Sequence, residues 1–200
     1  MKTWVLASGN AHKTEEFNRF FAASGLDVRL ITMREAGFDG EIAENGLSFA
    51  ENAYIKAKTV AGATGQTVIA DDSGLCVDAL GGAPGILSAR YAGEHGDDDK
   101  NNDKLLSELE NVPDEQRTAR FLCALCIVFP DGSNAVAEGC AEGRILRARQ
   151  GSGRFGYDPL FFYEPLGKTF AELSTAEKEQ VSHRGDALRK LLPVLIEAAG

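Results

Sequence analysis

Two adjacent carboxylates follow a short apolar run and precede a glycine-rich turn, in the stretch IADDSGLCVDALGGAPG. Residues 67–70 predict a buried strand, and Asp71 and Asp72 at its end would point to opposite sides. Ser73 and Gly74 would let the backbone approach a ligand closely. Magnesium in proteins typically takes one or two carboxylates, with waters and substrate phosphate oxygens. A metal-assisted reaction is one interpretation, and an Asx-type turn without chemistry is the other.

A metal held by one of these aspartates would need a second carboxylate from elsewhere in the chain. The acidic loop at residues 38–46 offers Glu41 and Glu44. Shortly after this loop, Lys56 lies four residues beyond Asn52, on the same face of a predicted helix. Lys56 could reach a phosphate or merely pair with Asn52.

The segment SGNAHK is a second candidate site, near the start of the chain. A predicted strand ends there, small polar residues turn the chain, and a helix begins with a lysine in its first turns. Because the N–H groups at a helix N-terminus attract anions, this arrangement could bind a phosphate. An ordinary strand–turn–helix cap is the alternative. The residues are Ser8, Gly9, Asn10, Ala11, His12 and Lys13.

The segment GSGRFGYDP spells the G-x-G-x-x-G fingerprint of dinucleotide-binding folds. That fingerprint requires a helix directly after the glycines, and the following Tyr157-Asp158-Pro159 blocks one, so this interpretation is rejected. Phe155 could instead stack on a base, and Asp158 could accept hydrogen bonds from a base edge. A structural turn is the alternative.

Three cationic or donor side chains, Lys178, His183 and Arg184, lie within seven residues near the end of the sequence. They fall near the predicted junction of two helices. In a net acidic chain, such a cluster favours an anion or base site, and a solvated charged face is the alternative.

The apolar periodicity and the turn residues predict the elements that position these candidates. Capping boxes at Ser48/Glu51 and Ser174/Glu177 mark two helix starts. Strands are predicted at residues 3–7, 27–32, 67–70, 117–129, 134–139 and 160–162, and residues 144–149 could extend the sheet. Helices are predicted at residues 11–23, from 48 to the glycines at 62 and 65, and at 102–109, 175–181 and 184–198, with Pro193 kinking or dividing the last. This order predicts an α/β fold with a mixed sheet, as a single domain over residues 1–200.

The composition describes an acidic globular chain of 200 residues, 44% hydrophobic, with a formal net charge of −9. Such a charge repels polyanions and disfavours general nucleic-acid binding, but it permits a nucleotide in a local basic pocket. No apolar stretch approaches the length of a membrane span and no signal peptide is recognised, so we expect no membrane contact and a cytoplasmic location. Cys123 and Cys126 form a C-x-x-C within a predicted strand, which favours buried thiols over a zinc site or a disulfide.

Five segments, in order along nearly the whole chain, resemble the inosine/xanthosine triphosphate pyrophosphatases. They are LASGNAHKTEEF, GLSFAENAYIKA, ADDSGLCVDALGGAPGILSARYAG, GRFGYDPLFF and AELSTAEKEQVSHRGDAL. The resemblance implies Mg²⁺-dependent hydrolysis of ITP, dITP and XTP to the nucleoside monophosphate and pyrophosphate. It also implies an elongated mixed β-sheet flanked by helices, two lobes with a central substrate cleft, and a homodimer.

The resemblance further implies a role for each candidate residue. Asp72 would be the catalytic acid–base residue and would bind the metal together with Glu44, with Glu41 in reserve. Arg154 stands where the family's loop commonly has glycine, so it could stiffen that loop or add a phosphate contact. The implied substrate contacts are Ser8, Gly9, Asn10, Ala11, His12, Lys13, Lys56, Ser73, Phe155, Gly156, Tyr157, Asp158, Lys178, His183 and Arg184.

Two other functions compete with this interpretation. A related pyrophosphatase could act on pyrimidine or modified nucleotides, which a substrate panel would reveal. A nucleotide-binding regulator without chemistry is disfavoured, because a pure anion binder gains little from buried negative charge.

Overall fold

The computed structural model describes residues 1–153 and 155–200, except the side chains of Ala11 and His12. The predictions for Arg154 and for those two side chains therefore lie outside the described residues. The strands are β1 Lys2–Leu6, β2 Val28–Thr32, β3 Val68–Val77, β4 Thr118–Val128, β5 Asn134–Ile145, β6 Phe161–Tyr163 and β7 Lys168–Thr169. The α-helices are α1 Ala11–Ala23, α2 Phe49–Thr64, α3 Asp98–Glu108, α4 Thr175–Val181 and α5 His183–Ala199.

The strands found within the described residues form one mixed sheet in the order β2-β1-β3-β4-β5-β6-β7. Strand β1 pairs in parallel with β2 and β3, whereas β6 pairs antiparallel with β5 and β7. Parallel neighbours need a crossover, and helices α1 and α2 lie in the chain between β1, β2 and β3. The predicted α/β class with a mixed sheet is confirmed.

The predicted strand end at the adjacent aspartates is wrong. Strand β3 is ten residues long, passes through Asp71 and Asp72 and ends at Val77. Leu75 and Val77 are fully buried, so the apolar pattern resumes beyond the carboxylates. Polar residues interrupt the pattern without interrupting the strand, because their side chains have partners of their own. The Asx-type turn is thereby excluded.

Other boundaries differ by smaller amounts. Helix α2 passes through Gly62 and ends at Gly65, whose positive φ of 67° forms the C-cap. The capping box at its start is half correct: Ser48 accepts from the backbone N–H of Glu51, but the Glu51 carboxylate accepts from Leu47. Helix α3 begins a turn earlier than predicted and β5 includes residues 140–145. Pro193 lies inside the continuous α5 and does not divide it.

The chain divides into two compact units, each with its own core. The first unit is Met1–Asp72, Ala124–Glu138 and Ala187–Gly200, and the second is Ser73–Cys123 and Gly139–Asp186. In the first, the ring of Phe21 meets Trp4 edge-on at 6.1 Å. In the second, Phe121, Phe161 and Phe170 pack with centroids 4.7 to 5.7 Å apart. The predicted two lobes with a central cleft stay a prediction.

Two smaller expectations concern buried thiols and membranes. Cys123 and Cys126 lie in β4 and are buried, which confirms them as buried thiols of a strand. Within residues 1–153 and 155–200, no helix has the length and apolar character that spanning a membrane requires.

Candidate active site

Carboxylates and lysines converge around β3 in the first unit. Asp71 accepts from the Lys13 ammonium through both carboxylate oxygens, at 3.0 and 2.9 Å. Asp72 accepts from Lys56 at 2.9 Å, and Glu44 lies 3.5 Å from the same ammonium. The two aspartates thus engage different lysines, as expected for successive residues of a strand. Glu44 and Asp72, the predicted metal pair, are brought to one cation.

Asn52 belongs to this set, although the sequence analysis considered it only as a neighbour of Lys56. Its side-chain NH₂ donates to Asp72 at 3.1 Å, and its carbonyl accepts from the backbone N–H of Gly46 at 2.9 Å. The residue is 1% exposed. Asn52 therefore ties the acidic loop carrying Glu44 to the strand carrying Asp72. The i, i+4 spacing of Asn52 and Lys56 was the sequence signal that could have identified it.

The neighbouring carboxylates keep Lys56 protonated, and burial makes Asp72 a stronger base than an ordinary aspartate. Desolvation acts to lower the pKa of Lys56, but Asp72, Asp71 and Glu44 outweigh it and raise that pKa. For Asp72, burial raises the pKa above its ordinary value of 3.8, against the opposing effects of Lys56 and Asn52. Glu44 adds a like charge that raises the Asp72 pKa further. Two ammonium groups thus face three carboxylates. This net negative balance suits an additional cation.

The SGNAHK segment forms the cap of α1. The Ser8 hydroxyl accepts from the Asn10 N–H at 3.1 Å, and the Asn10 side-chain oxygen accepts from the Lys13 N–H at 3.3 Å. These contacts confirm a strand–turn–helix cap, which leaves room for a ligand: a Cβ at Gly9 would meet no heavy atom closer than 3.9 Å. Phosphate binding by this segment stays a prediction.

A second set of candidate residues lies in the second unit, around a partly buried ion pair. Lys178 on α4 donates to the carboxylate of Asp158. The Asp158 side chain is 7% exposed, and the Lys178 ammonium also lies 5.5 Å from the centroid of the Phe155 ring. Phe155 is 56% exposed, which is unusual for a phenylalanine and leaves its ring available to a ligand.

His183 and Arg184 join this set, and they are not a solvated charged face. Both residues are buried. The His183 ring stacks on Phe121 with centroids 4.8 Å apart. Burial raises the pKa of Asp158, while Lys178 and Arg184 oppose that rise. Lys178 and Arg184 thus lie near a carboxylate that a base edge could also contact, while His183 packs against Phe121.

Two of the predicted substrate contacts, Tyr157 and Ser73, gain no support from the placement of their side chains. The Tyr157 hydroxyl donates to the backbone carbonyl of Ser88 at 2.8 Å, inside the core of the second unit. A substrate contact of Tyr157 would therefore come from its backbone. Ser73 follows Asp72 in β3 and is partly exposed. Both assignments stay predictions.

The glycines of the GSGRFGYDP segment have structural reasons of their own: Gly151 and Gly153 pack against Ala171, and Gly156 has a positive φ of 54°. A Cβ at Gly151 would lie 2.8 Å from the carbonyl carbon of Ala171. After Gly156 the chain turns and enters β6 at Phe161, with no α-helix among the residues described there. The rejection of the dinucleotide-binding fingerprint is confirmed.

Comparisons with known proteins identify the family. The Ham1 family profile matches residues 4–194. The chain belongs to the Ham1 family. It is 49% identical over 197 residues to the dITP/XTP pyrophosphatase of Clostridium perfringens, covering 96% of each chain. It is 48% identical over 195 residues to that of Bacillus subtilis, covering 98% of each. The Ham1 protein of Staphylococcus aureus superposes with a TM-score of 0.89 at 42% identity, covering 98% of this chain and 100% of that one.

These matches confirm the resemblance carried by the five sequence segments. They also agree with the mixed sheet flanked by helices, since the fold of a Ham1 structure aligns over nearly the full chain. The roles proposed for individual residues rest on the distances and contacts described above, not on the family match.

Gly46→Ala is expected to disturb this Ham1-family site through Asn52. A Cβ at Gly46 would lie 2.8 Å from both the Asn52 side-chain oxygen and the Glu51 Cβ. Since displacing a positioned group by about 1 Å can cost up to 10²-fold in rate, we expect kcat/KM to fall roughly tenfold or more. Steady-state kinetics with dITP measure the effect.

Gly62→Ala is the matched control for that substitution. Gly62 lies inside α2, and a Cβ there would meet no heavy atom within 4 Å. Alanine in a helix interior should raise the free energy of unfolding by about 0.5–1 kcal/mol and leave activity unchanged. Equal activity in the two variants would contradict the role given to Asn52.

Glu177→Gln is expected to remove a pH-dependent part of the stability of α4, the helix that carries Lys178. The backbone N–H and hydroxyl of Ser174, with the Lys168 ammonium, lower the pKa of Glu177 to about 2 from 4.5. Because the folded pKa is depressed, this stabilisation is present above pH 4.5 and is lost as the pH falls towards 2. Urea midpoints between pH 6 and pH 3 should show the wild type's advantage over the variant shrinking. Glu115→Gln at an exposed position serves as the control, and an advantage independent of pH would contradict the prediction.

Proposed function

We propose that this Ham1-family protein hydrolyses non-standard purine nucleoside triphosphates, namely dITP, ITP and XTP, to the monophosphate and pyrophosphate. The observation that carries the proposal is the partly buried Asp72 carboxylate, held by Lys56 and Asn52 with Glu44 beside it. The relatives named dITP/XTP pyrophosphatase support the choice of substrate.

Glu44 and Asp72 fit a divalent metal, for which we propose Mg²⁺. Both supply hard oxygen ligands, and both already contact one cationic group, the Lys56 ammonium. Across the part of the chain that is described, no three His, Cys, Asp or Glu side chains form a metal-binding group. Magnesium suits such a sparse donor set, because waters and phosphate oxygens complete its coordination. When bound, it would neutralise charge that develops on the phosphates.

Asp72 takes the proton in the proposed reaction. A water positioned by its carboxylate attacks the α-phosphorus, the proton passes to Asp72, and the bond to the β-phosphate breaks with pyrophosphate leaving. Burial raises the pKa of Asp72, which makes its carboxylate a better base than an ordinary aspartate. Lys13, Lys56 and the N-terminus of α1 would stabilise the leaving pyrophosphate.

The second residue set would bind the base. The exposed ring of Phe155 offers a stacking surface. Lys178 and Arg184 lie near Asp158. Together with His183 they would supply hydrogen-bond donors, and a 6-oxo purine presents an acceptor to them. Adenine carries a donor at the same position, so a donor would meet a donor and the base would be rejected. Hypoxanthine and xanthine are therefore favoured over adenine.

The test is pyrophosphate release in the presence of Mg²⁺ from ITP, dITP, XTP, GTP, ATP and dTTP in parallel. The proposal expects strong release from the first three and little from the others. Rejection of GTP, whose guanine also carries a 6-oxo group, would require a contact near the 2-position of the base. Release mainly from dTTP would favour the rival pyrimidine pyrophosphatase. Nucleotide binding without any release would favour a regulator. Orthophosphate in place of pyrophosphate would contradict the bond assigned to cleavage.

A homodimer is part of the proposal and rests on the family resemblance alone. Sedimentation velocity over a range of concentrations tests it, and a single monomeric species at micromolar concentration would contradict it.

A further inference from the structure

Helix α3 holds the turn that carries the proposed base contacts through hydrogen bonds. Residues 155–158 form a turn in which the N–H of Asp158 donates to the carbonyl of Phe155 at 3.1 Å. Gly156 occupies the second position with a φ of +54°, a conformation that favours glycine. The two residues proposed to touch the base, Phe155 and Asp158, are therefore the two ends of this turn.

Both peptide groups of Gly156 are bound by side chains of α3. The Gly156 N–H donates to the carboxylate of Asp98 at 2.7 Å. The Asn102 side-chain NH₂ donates to the Gly156 carbonyl at 2.8 Å. The same NH₂ group also donates to the backbone carbonyl of Asp98 at 2.7 Å, which ties the Asn102 side chain to the first turn of α3. Asn102 is 2% exposed, which shields these bonds from water.

The first turn of α3 is itself held in place. Asp97 caps the helix by accepting from the N–H of Lys100 at 3.0 Å. The Asn101 side-chain oxygen accepts from the N–H of Ala92 at 2.7 Å, and Asn101 is 1% exposed. Asp98 and Asn102 thus offer a fixed frame to the turn, because the helix that carries them is anchored on two sides.

We infer that Asp98 and Asn102 are positioning residues that set the orientation of Phe155 and Asp158, and thereby the affinity for the base and the choice among bases. The inference rests on the proposed function, in which these two residues contact the base. The peptide between Phe155 and Gly156 fixes the direction in which the exposed ring projects. The peptide between Gly156 and Tyr157 fixes the rest of the turn up to Asp158. Neither α3 residue needs to touch the substrate.

Asp98→Ala is the primary test, with dITP as the substrate. Loss of a hydrogen bond to a charged group should raise the KM for dITP by about tenfold, with kcat changed by less than about threefold. The preference for dITP over dATP should narrow by a similar factor. Inhibition by pyrophosphate, which has no base, should keep its wild-type constant. A merely structural role would lower kcat and weaken pyrophosphate as well, and that result would overturn the inference.

Two variants sharpen this experiment. Asp98→Asn keeps an acceptor for the Gly156 N–H and should restore most of the KM. Asn102→Ser, too short to reach both carbonyls, should reproduce the KM effect. Asp99→Ala is the control, because the Asp99 carboxylate is 82% exposed and lies 3.9 Å from Arg149. If Asp98→Ala behaves like Asp99→Ala, the inference fails even where the wild type is active.

Binding separates this inference from the proposed function. Titration of dITP without divalent metal gives a dissociation constant that does not depend on turnover. A wild type that binds dITP but releases no pyrophosphate after Mg²⁺ is added would refute the proposed reaction, while a tenfold weaker dissociation constant in Asp98→Ala would still support the positioning role. A wild type that neither binds nor cleaves dITP would refute both.

Discussion

Asp72→Asn is expected to lower kcat for dITP by about 10³-fold or more, because the variant cannot accept the proton of the attacking water and loses the charge that would bind a metal. The fold should remain, since asparagine has the same shape and can still accept a hydrogen bond from Lys56, whose ammonium also lies 3.5 Å from Glu44. Pyrophosphate release at saturating dITP measures the loss, and circular dichroism with thermal unfolding checks the fold.

The control for this variant is Asp39→Asn, which makes the same change on an exposed residue of the acidic loop. It should retain wild-type turnover. Near-normal turnover in a folded Asp72→Asn protein would exclude Asp72 as the base. A loss that is equally large in Asp39→Asn would assign the effect to net charge instead of position.

The residue types of the first site were predictable from the sequence, but the strand that holds them was not. Asp71 and Asp72 were read as a strand end because two charges interrupt an apolar run. In the structure β3 continues, since each aspartate has a lysine partner on a helix outside the strand, Lys13 on α1 and Lys56 on α2. No local pattern contains such long-range pairing, so propensity places a boundary where tertiary contacts remove one.

Sequence patterns whose partners lie close along the chain predicted the structure better than single side chains did. The capping box at Ser174 and Glu177 is present with both of its hydrogen bonds, since every partner lies within three residues. Asn52 carried a signal only as a spacing, and Asp98 and Asn102 carried none, because their partners lie 20 to 58 residues away. The sequence thus identified most of the charged candidate residues, but it missed Asn52, Asp98 and Asn102, which hold other candidate residues in place.

Asp158→Asn has the second-largest expected effect, and it acts on recognition instead of chemistry. Asp158 is buried and paired with Lys178, and Arg184 adds a favourable charge. Removing the buried carboxylate leaves Lys178, which is partly buried, and Arg184 without its compensating charge. We expect kcat/KM for dITP to fall by about 10²-fold, mainly through KM, in keeping with the cost of an unmatched polar group in a specificity site.

The same change should also weaken the choice among bases. The Asp158 carboxylate can only accept hydrogen bonds, so it suits the N1–H of a 6-oxo purine and repels the bare N1 of a 6-amino purine. Asparagine also offers a donor to that nitrogen, so the ratio of kcat/KM for dITP over dATP should shrink. Parallel kinetics with both nucleotides measure this ratio. Asp99→Asn, an exposed aspartate of the second unit, should leave it unchanged. If Asp158→Asn lowers kcat for every nucleotide equally and keeps the ratio, the carboxylate supports the fold of its unit and does not read the base.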